Sequence, residues 1–137
     1  MSAPVTASRS LDHMSFTVSN LARARAFYGA ALAPLGISVQ MELPAGAVAP
    51  VAMLAFGRDG KPELWLVEGG KTEPRLHLAF AAVTRAEVDA FYKAAIAAGG
   101  IDNGAPGLRP HYHADYYGAF VLDADGHNVE AVCHAPQ

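Results

Sequence analysis

The stretch 77–100, HLAFAAVTRAEVDAFYKAAIAAGG, decides the fold. Moved back by 77 − 13 = 64 positions, it lies without a gap on 13–36, HMSFTVSNLARARAFYGAALAPLG. His13 meets His77, Phe16 meets Phe80, and Phe27-Tyr28 meets Phe91-Tyr92. Ala30-Ala31 meets Ala94-Ala95, and Gly36 meets Gly100. Two alanine-rich helices resemble each other by composition alone, but the histidine and aromatic matches do not depend on alanine. The chain therefore reads as two copies of one unit, each opening with a strand that carries a histidine. Two copies are too few for a solenoid, so the units should pair into one body.

Each copy can be read onward from that match. In 11–18 the residues Met14, Phe16 and Val18 share an apolar face, and His13, Ser15 and Thr17 share the other. Asn20 is placed to cap a helix over 21–32, with Leu21, Ala24, Phe27, Tyr28 and Ala31 inward. Strands are expected over 37–43, 51–56 and 63–67, with Asp59-Gly60 turning the last two. EGGKTEP, 68–74, reads as the linker. The second copy repeats the plan with a strand over 75–82 and a helix over 85–98, opened by a Thr84/Glu87 capping box. GAPGLRPHYH, 104–113, reads as a long loop, and 116–122 with 128–133 as a hairpin. The expected fold is α+β. It is one domain over 10–135, with βαβββ modules at 10–68 and 75–135 forming a curved, partly open barrel-like sheet with helices outside.

Composition narrows the functions. Of 137 residues, 52% are hydrophobic and 17% charged, which suits a globular core. A net charge of −3 without a basic cluster argues against nucleic acid and anionic membranes as partners. No apolar run approaches the roughly 20 residues of a membrane span. The opening MSAPVTASRS lacks a signal-like apolar core and is expected to fray. Cys133 is the single cysteine, so no internal disulfide forms, and a cytoplasmic setting is expected.

The chemistry gathers on one face. His13 and His77 both point away from their helices. Glu130 alternates with Val129 and Ala131 in the last strand and should share that direction. A carboxylate in a buried strand is costly unless paired or bound to a cation. Any one of these residues alone reads as a satisfied polar side chain. Together, two imidazoles and a carboxylate suit a divalent ion with open positions, such as zinc, nickel, manganese or iron(II). Glu63 is either a further acidic group of the site or a strand-end residue in solvent. Aligning Gly60 with Gly126 places Leu64, rather than Glu63, opposite Glu130. His111, His113, Tyr116 and Tyr117 are expected around the site or packed as a surface loop, and Arg109 suits a substrate carboxylate. Cys133 faces the helix side and belongs to the core. Glu63 and Tyr117 are the candidates for a general base.

LDHMSFTVSNLARARAFYGAAL, RLHLAF and DADGHNVEAV together resemble the vicinal oxygen chelate superfamily: glyoxalase I, fosfomycin-resistance proteins, extradiol dioxygenases and bleomycin-resistance proteins. The resemblance runs from about Ser10 to Cys133. It implies paired βαβββ modules, a metal in a concave cup and a homodimer. His13, His77 and Glu130 match the ligand positions, whereas Glu63 matches the fourth glyoxalase ligand only loosely. The expected activity is that of a glyoxalase-like, metal-dependent lyase or isomerase on a small substrate with adjacent oxygens. The alternatives are a metal-free drug- or metabolite-binding protein and an iron-dependent extradiol dioxygenase.

Overall fold

The computed structural model describes residues 10–137. The opening nine residues, and with them nearly all of the stretch expected to fray, lie outside the described residues. The first module is β1 (Met14–Val18), α1 (Leu21–Leu32), a 3-10 turn (Ala33–Leu35), β2 (Ser38–Leu43), β3 (Met53–Arg58) and β4 (Lys61–Glu68). The second is β5 (His77–Ala81), α2 (Arg85–Ala97), β6 (Ile101–Leu108), β7 (Tyr117–Leu122) and β8 (Asn128–Cys133). The sheets have the orders β1-β4-β3-β2 and β5-β8-β7-β6. In each, the opening strand runs parallel to the last, and the other pairings are antiparallel. The fold is α+β with two βαβββ modules, each a four-stranded mixed sheet, and there is no closed barrel.

Both helices begin as their sequences dictate. The Asn20 side-chain oxygen accepts from the Arg23 amide at 2.9 Å, satisfying one orphan donor of the first turn. At α2 the Thr84 hydroxyl oxygen accepts from the Glu87 amide (3.2 Å), and Glu87 Oε2 accepts from the Thr84 amide (3.1 Å). Gly36, at φ 77°, ends the 3-10 turn in a conformation that a β-carbon penalises. Phe27, Tyr28, Ala31 and Leu32 of α1 and Val88, Phe91 and Ala95 of α2 are buried in one hydrophobic cluster. The helices pack on each other, so neither module closes its core alone. A β-carbon on Gly100 would lie 2.8 Å from Phe27 Cε1 of the other module and 2.3 Å from Val121 Cγ1. A glycine is needed at that seam.

The first half of one expected loop, 104–108, is a strand, and the rest stays a loop. β6 spans IDNGAPGL despite Gly104, Pro106 and Gly107. It lies at a sheet edge and is irregular in register between Asp102 and Gly104 and between Gly104 and Gly107. Proline is tolerated where one side of a strand has no ladder to serve.

The polar turn between β7 and β8 is the other joint. Asp123 and His127 are buried there. The Tyr28 hydroxyl donates to Asp123 Oδ2 at 2.5 Å, and Asp123 Oδ1 accepts from the Asp125 and His127 amides at 3.0 and 2.8 Å. His127 Nδ1 accepts from the Leu76 amide at 2.9 Å. Asp125 receives the Ser19 amide at 3.0 Å and also its hydroxyl. Desolvation pushes the Asp125 carboxyl up, but the Ser19 donors outweigh it and hold it below the ordinary aspartate value. A depressed carboxylate contributes stability above its unfolded value, about 3.9, and loses it as pH falls through the folded one. In Ser19→Ala that acid-dependent component is expected to shrink. Urea melts of both proteins between neutral pH and pH 3 check this.

Candidate functional site

His13 stands immediately before β1 and His77 opens β5, so each histidine begins the edge strand of its sheet. In β8, Asn128 pairs with His77 and Glu130 with Ala79, so Glu130 shares the His77 face. His77 Nε2 lies 2.7 Å from Glu130 Oε1. The two differ sharply in exposure: the His77 side chain is 55% accessible and that of Glu130 is 1%. A carboxylate so deeply buried needs donors. It has His77 on Oε1 and the Tyr116 hydroxyl on Oε2.

His13 and Glu63 from the first module and His77 from the second line one cavity of about 370 Å³. Phe56, Leu78 and Phe80 form part of its apolar wall. His13 Nδ1 is 2.6 Å from Asp12 Oδ1, which also receives Lys61 Nζ at 3.0 Å. The hydrogen bond to His13, then that to Lys61, lowers the Asp12 carboxyl from its usual value.

The register settles which residues correspond between modules. Ser15 pairs with Trp65 as Ala79 pairs with Glu130, so Trp65 holds the place of Glu130 in the first module. This replaces the expectation, drawn from aligning the turn glycines, that Leu64 stands there. The turns differ in length: Arg58 pairs directly with Lys61, while Leu122 pairs with Asn128. Glu63 precedes Leu64, the partner of Met14, and so lies level with His13.

Two expected positions lie elsewhere. Tyr117 is on the helix-facing side of β7, where its hydroxyl donates to Asp89 Oδ1 at 2.6 Å and the Arg85 guanidinium sits 5.2 Å above its ring. The tyrosine that reaches Glu130 is its neighbour Tyr116. Counting back by twos from Phe120, the cross-strand partner of Glu130, finds Tyr116 and skips Tyr117. Arg109 donates to the Gly107 and Ala105 carbonyls at 2.8 Å each and covers the Phe120 ring, so it braces its own strand. Cys133 is buried, as expected. The His111 ring lies tilted against that of Tyr112, and His113 stacks on His134, a residue that sequence reasoning missed.

Whether these side chains suit a divalent ion turns on distances. Adjacent donors about 2.1 Å from an ion lie roughly 3 Å apart. The 2.7 Å between His77 Nε2 and Glu130 Oε1 is close to that spacing. Two of the three expected donors therefore converge. Among the described residues, no three His, Cys, Asp or Glu side chains form a group that could hold a metal ion. His13 is turned to Asp12 instead.

Comparison with known proteins finds the same fold. A glyoxalase/bleomycin resistance protein of Albidiferax ferrireducens T118 is 26% identical, with a TM-score of 0.71 over 90% of this chain and 98% of that one. The fosfomycin resistance protein FosX of Listeria monocytogenes was solved with Mn(II) and 1S,2S-dihydroxypropylphosphonic acid. It is 19% identical, with a TM-score of 0.64 over 90% of this chain and 88% of that one. Glyoxalase I of Zea mays is 20% identical at a TM-score of 0.68, over 89% of this chain and 45% of that one. A search of the curated proteins finds no match. No helix among the described residues is long and apolar enough to cross a membrane. The sequence profile of the Glyoxalase/Bleomycin resistance protein/Dioxygenase superfamily matches residues 10–131, and the chain belongs to that superfamily.

Proposed function

We propose that the protein is a glyoxalase-like, metal-dependent lyase or isomerase acting on a small substrate with adjacent oxygens. His13, His77 and Glu130 are its metal ligands, and the ion is zinc, nickel, manganese or iron(II). The observation that carries this reading is the buried Glu130 carboxylate facing an accessible His77 at 2.7 Å. His13 lines the same cavity as His77 and, once released from Asp12, is the third ligand of this reading. When bound, the ion supplies a positive charge that stabilises an oxyanion or enolate. The apolar wall holds the substrate body and excludes water. Glu63, level with His13 on that cavity, is the first candidate for the base that takes a proton from the substrate. Tyr117, engaged by Asp89, is the weaker candidate for that role. A homodimer belongs to the same reading, and the 70% exposure of Leu11 beside His13 gives a second copy something to cover.

One observation favours a second reading. His13 bound to Asp12 beside an apolar cavity suits a metal-free binding protein for a drug or metabolite. Thermal melts with added manganese(II), zinc, nickel or iron(II) separate the two. An ion that binds only the folded protein stabilises it by about 2.7 kcal/mol at 100 times its Kd. A rise in Tm that grows with ion concentration is expected for the enzyme. A flat response with all four ions favours the binding protein.

A further inference from the structure

We propose that Tyr116 is the positioning residue of the site: its hydroxyl holds the Glu130 carboxylate so that Oε1 faces His77, and the stacked His113 and His134 rings hold the phenol in place. The inference rests on reading His77 and Glu130 as the working pair.

The Tyr116 hydroxyl donates to Glu130 Oε2, since a carboxylate oxygen only accepts. The carboxylate is then fixed at both oxygens, by Tyr116 on one and His77 on the other. The approach needs room, and Gly118 provides it. A β-carbon there would be 3.2 Å from Tyr116 Cε1 and 3.3 Å from Glu130 Oε2.

The phenol is braced from several sides. Its ring meets those of His113 and His134 edge-on at 5.5 and 5.2 Å, and that of Tyr112 at 4.8 Å. His113 and His134 stack with centroids 4.6 Å apart and interplanar angle 26°. The Asp115 amide donates to His113 Nδ1 at 3.3 Å, which leaves the ring proton on Nε2 to donate to His134 Nδ1. That bond ties the β6–β7 loop to the chain following β8. The Arg109 amide donates to the Tyr116 carbonyl at 2.7 Å, closing the loop at its base. Groups that hold a ligating carboxylate typically change metal affinity 10–100-fold when removed.

Tyr116→Phe keeps the ring and deletes only the hydroxyl, and its test needs two readouts. The first is the imidazole 15N spectrum of His77 in metal-free protein, where a fixed Glu130 keeps the proton on Nε2. The second is manganese(II) affinity by calorimetry. The wild type is expected to show one His77 tautomer, and Tyr116→Phe a mixture with roughly 10-fold weaker manganese binding. His134→Ala, which loosens the brace but leaves the hydroxyl, should fall between them. An unchanged His77 spectrum in Tyr116→Phe overturns the proposal, as does an effect of His134→Ala larger than that of Tyr116→Phe. If the wild type takes up no manganese while the His77 spectrum still shifts in Tyr116→Phe, the metal reading fails and the positioning role stands.

Discussion

His77→Ala is expected to abolish manganese(II) retention, weakening binding by more than about 100-fold, because it removes a proposed ligand rather than a group supporting one. The chain should still fold. The His77 side chain is 55% accessible and lies on the face of β5 opposite Leu78, which belongs to the core. The cost to stability comes through Glu130, which loses the donor on Oε1 and keeps Tyr116 on Oε2. Leaving half of a buried carboxylate without its donor costs about 1–3 kcal/mol. Metal titration and a urea melt of the same preparation separate the two effects. A variant that holds a full equivalent of manganese as tightly as the wild type refutes the site assignment.

Phe91→Ala is expected to cost about 3–5 kcal/mol of folding stability, the usual range for truncating a fully buried aromatic. Phe91 has no accessible surface and lies in the cluster that α1 and α2 share. Its cavity has little means of collapsing, because the helix backbones around it are held by the seam at Gly100 and by the capping box at Thr84. Domains of this size are stable by roughly 5–15 kcal/mol, so the variant should melt far below the wild type. Urea denaturation at 25 °C measures the difference. A loss under about 1 kcal/mol would mean that the modules do not depend on a common core.

The duplication was legible because helices and opening strands keep their spacing. The 64-residue offset aligns His13 with His77 and Phe27 with Phe91, and in the structure these residues do occupy matching places. Turn glycines do not keep spacing in the same way. The offset is 120 − 55 = 65 at β3 and β7 and 130 − 65 = 65 at β4 and β8, but the glycines sit differently in the two-residue turn at Asp59-Gly60 and the five-residue turn over 123–127, so aligning them gives 126 − 60 = 66. That is why Trp65, and neither Leu64 nor Glu63, matches Glu130. A single residue of slip reverses every side chain in a strand. Tyr116 and Tyr117, one residue apart, likewise reach opposite sides of the sheet, one to Glu130 and the other to Asp89.

Other features had no local signal. β6 contains the glycines and proline of a loop and is a strand because β7 supplies its partner. DADGH has the composition of a solvated turn, yet Asp123 and His127 are buried against the first module. His134 follows the last strand and gains meaning only when the β6–β7 loop brings His113 to it. Long-range partners of this kind are set by topology, which the repeat implies without giving side-chain contacts.

Anomalous scattering from crystals equilibrated with manganese(II) tests the central claim most directly. The expected result is a peak about 2.2 Å from both His77 Nε2 and Glu130 Oε1, with His13 turned from Asp12 toward the ion. No peak there at saturating manganese, with His77 still hydrogen-bonded to Glu130 and His13 to Asp12, would contradict it.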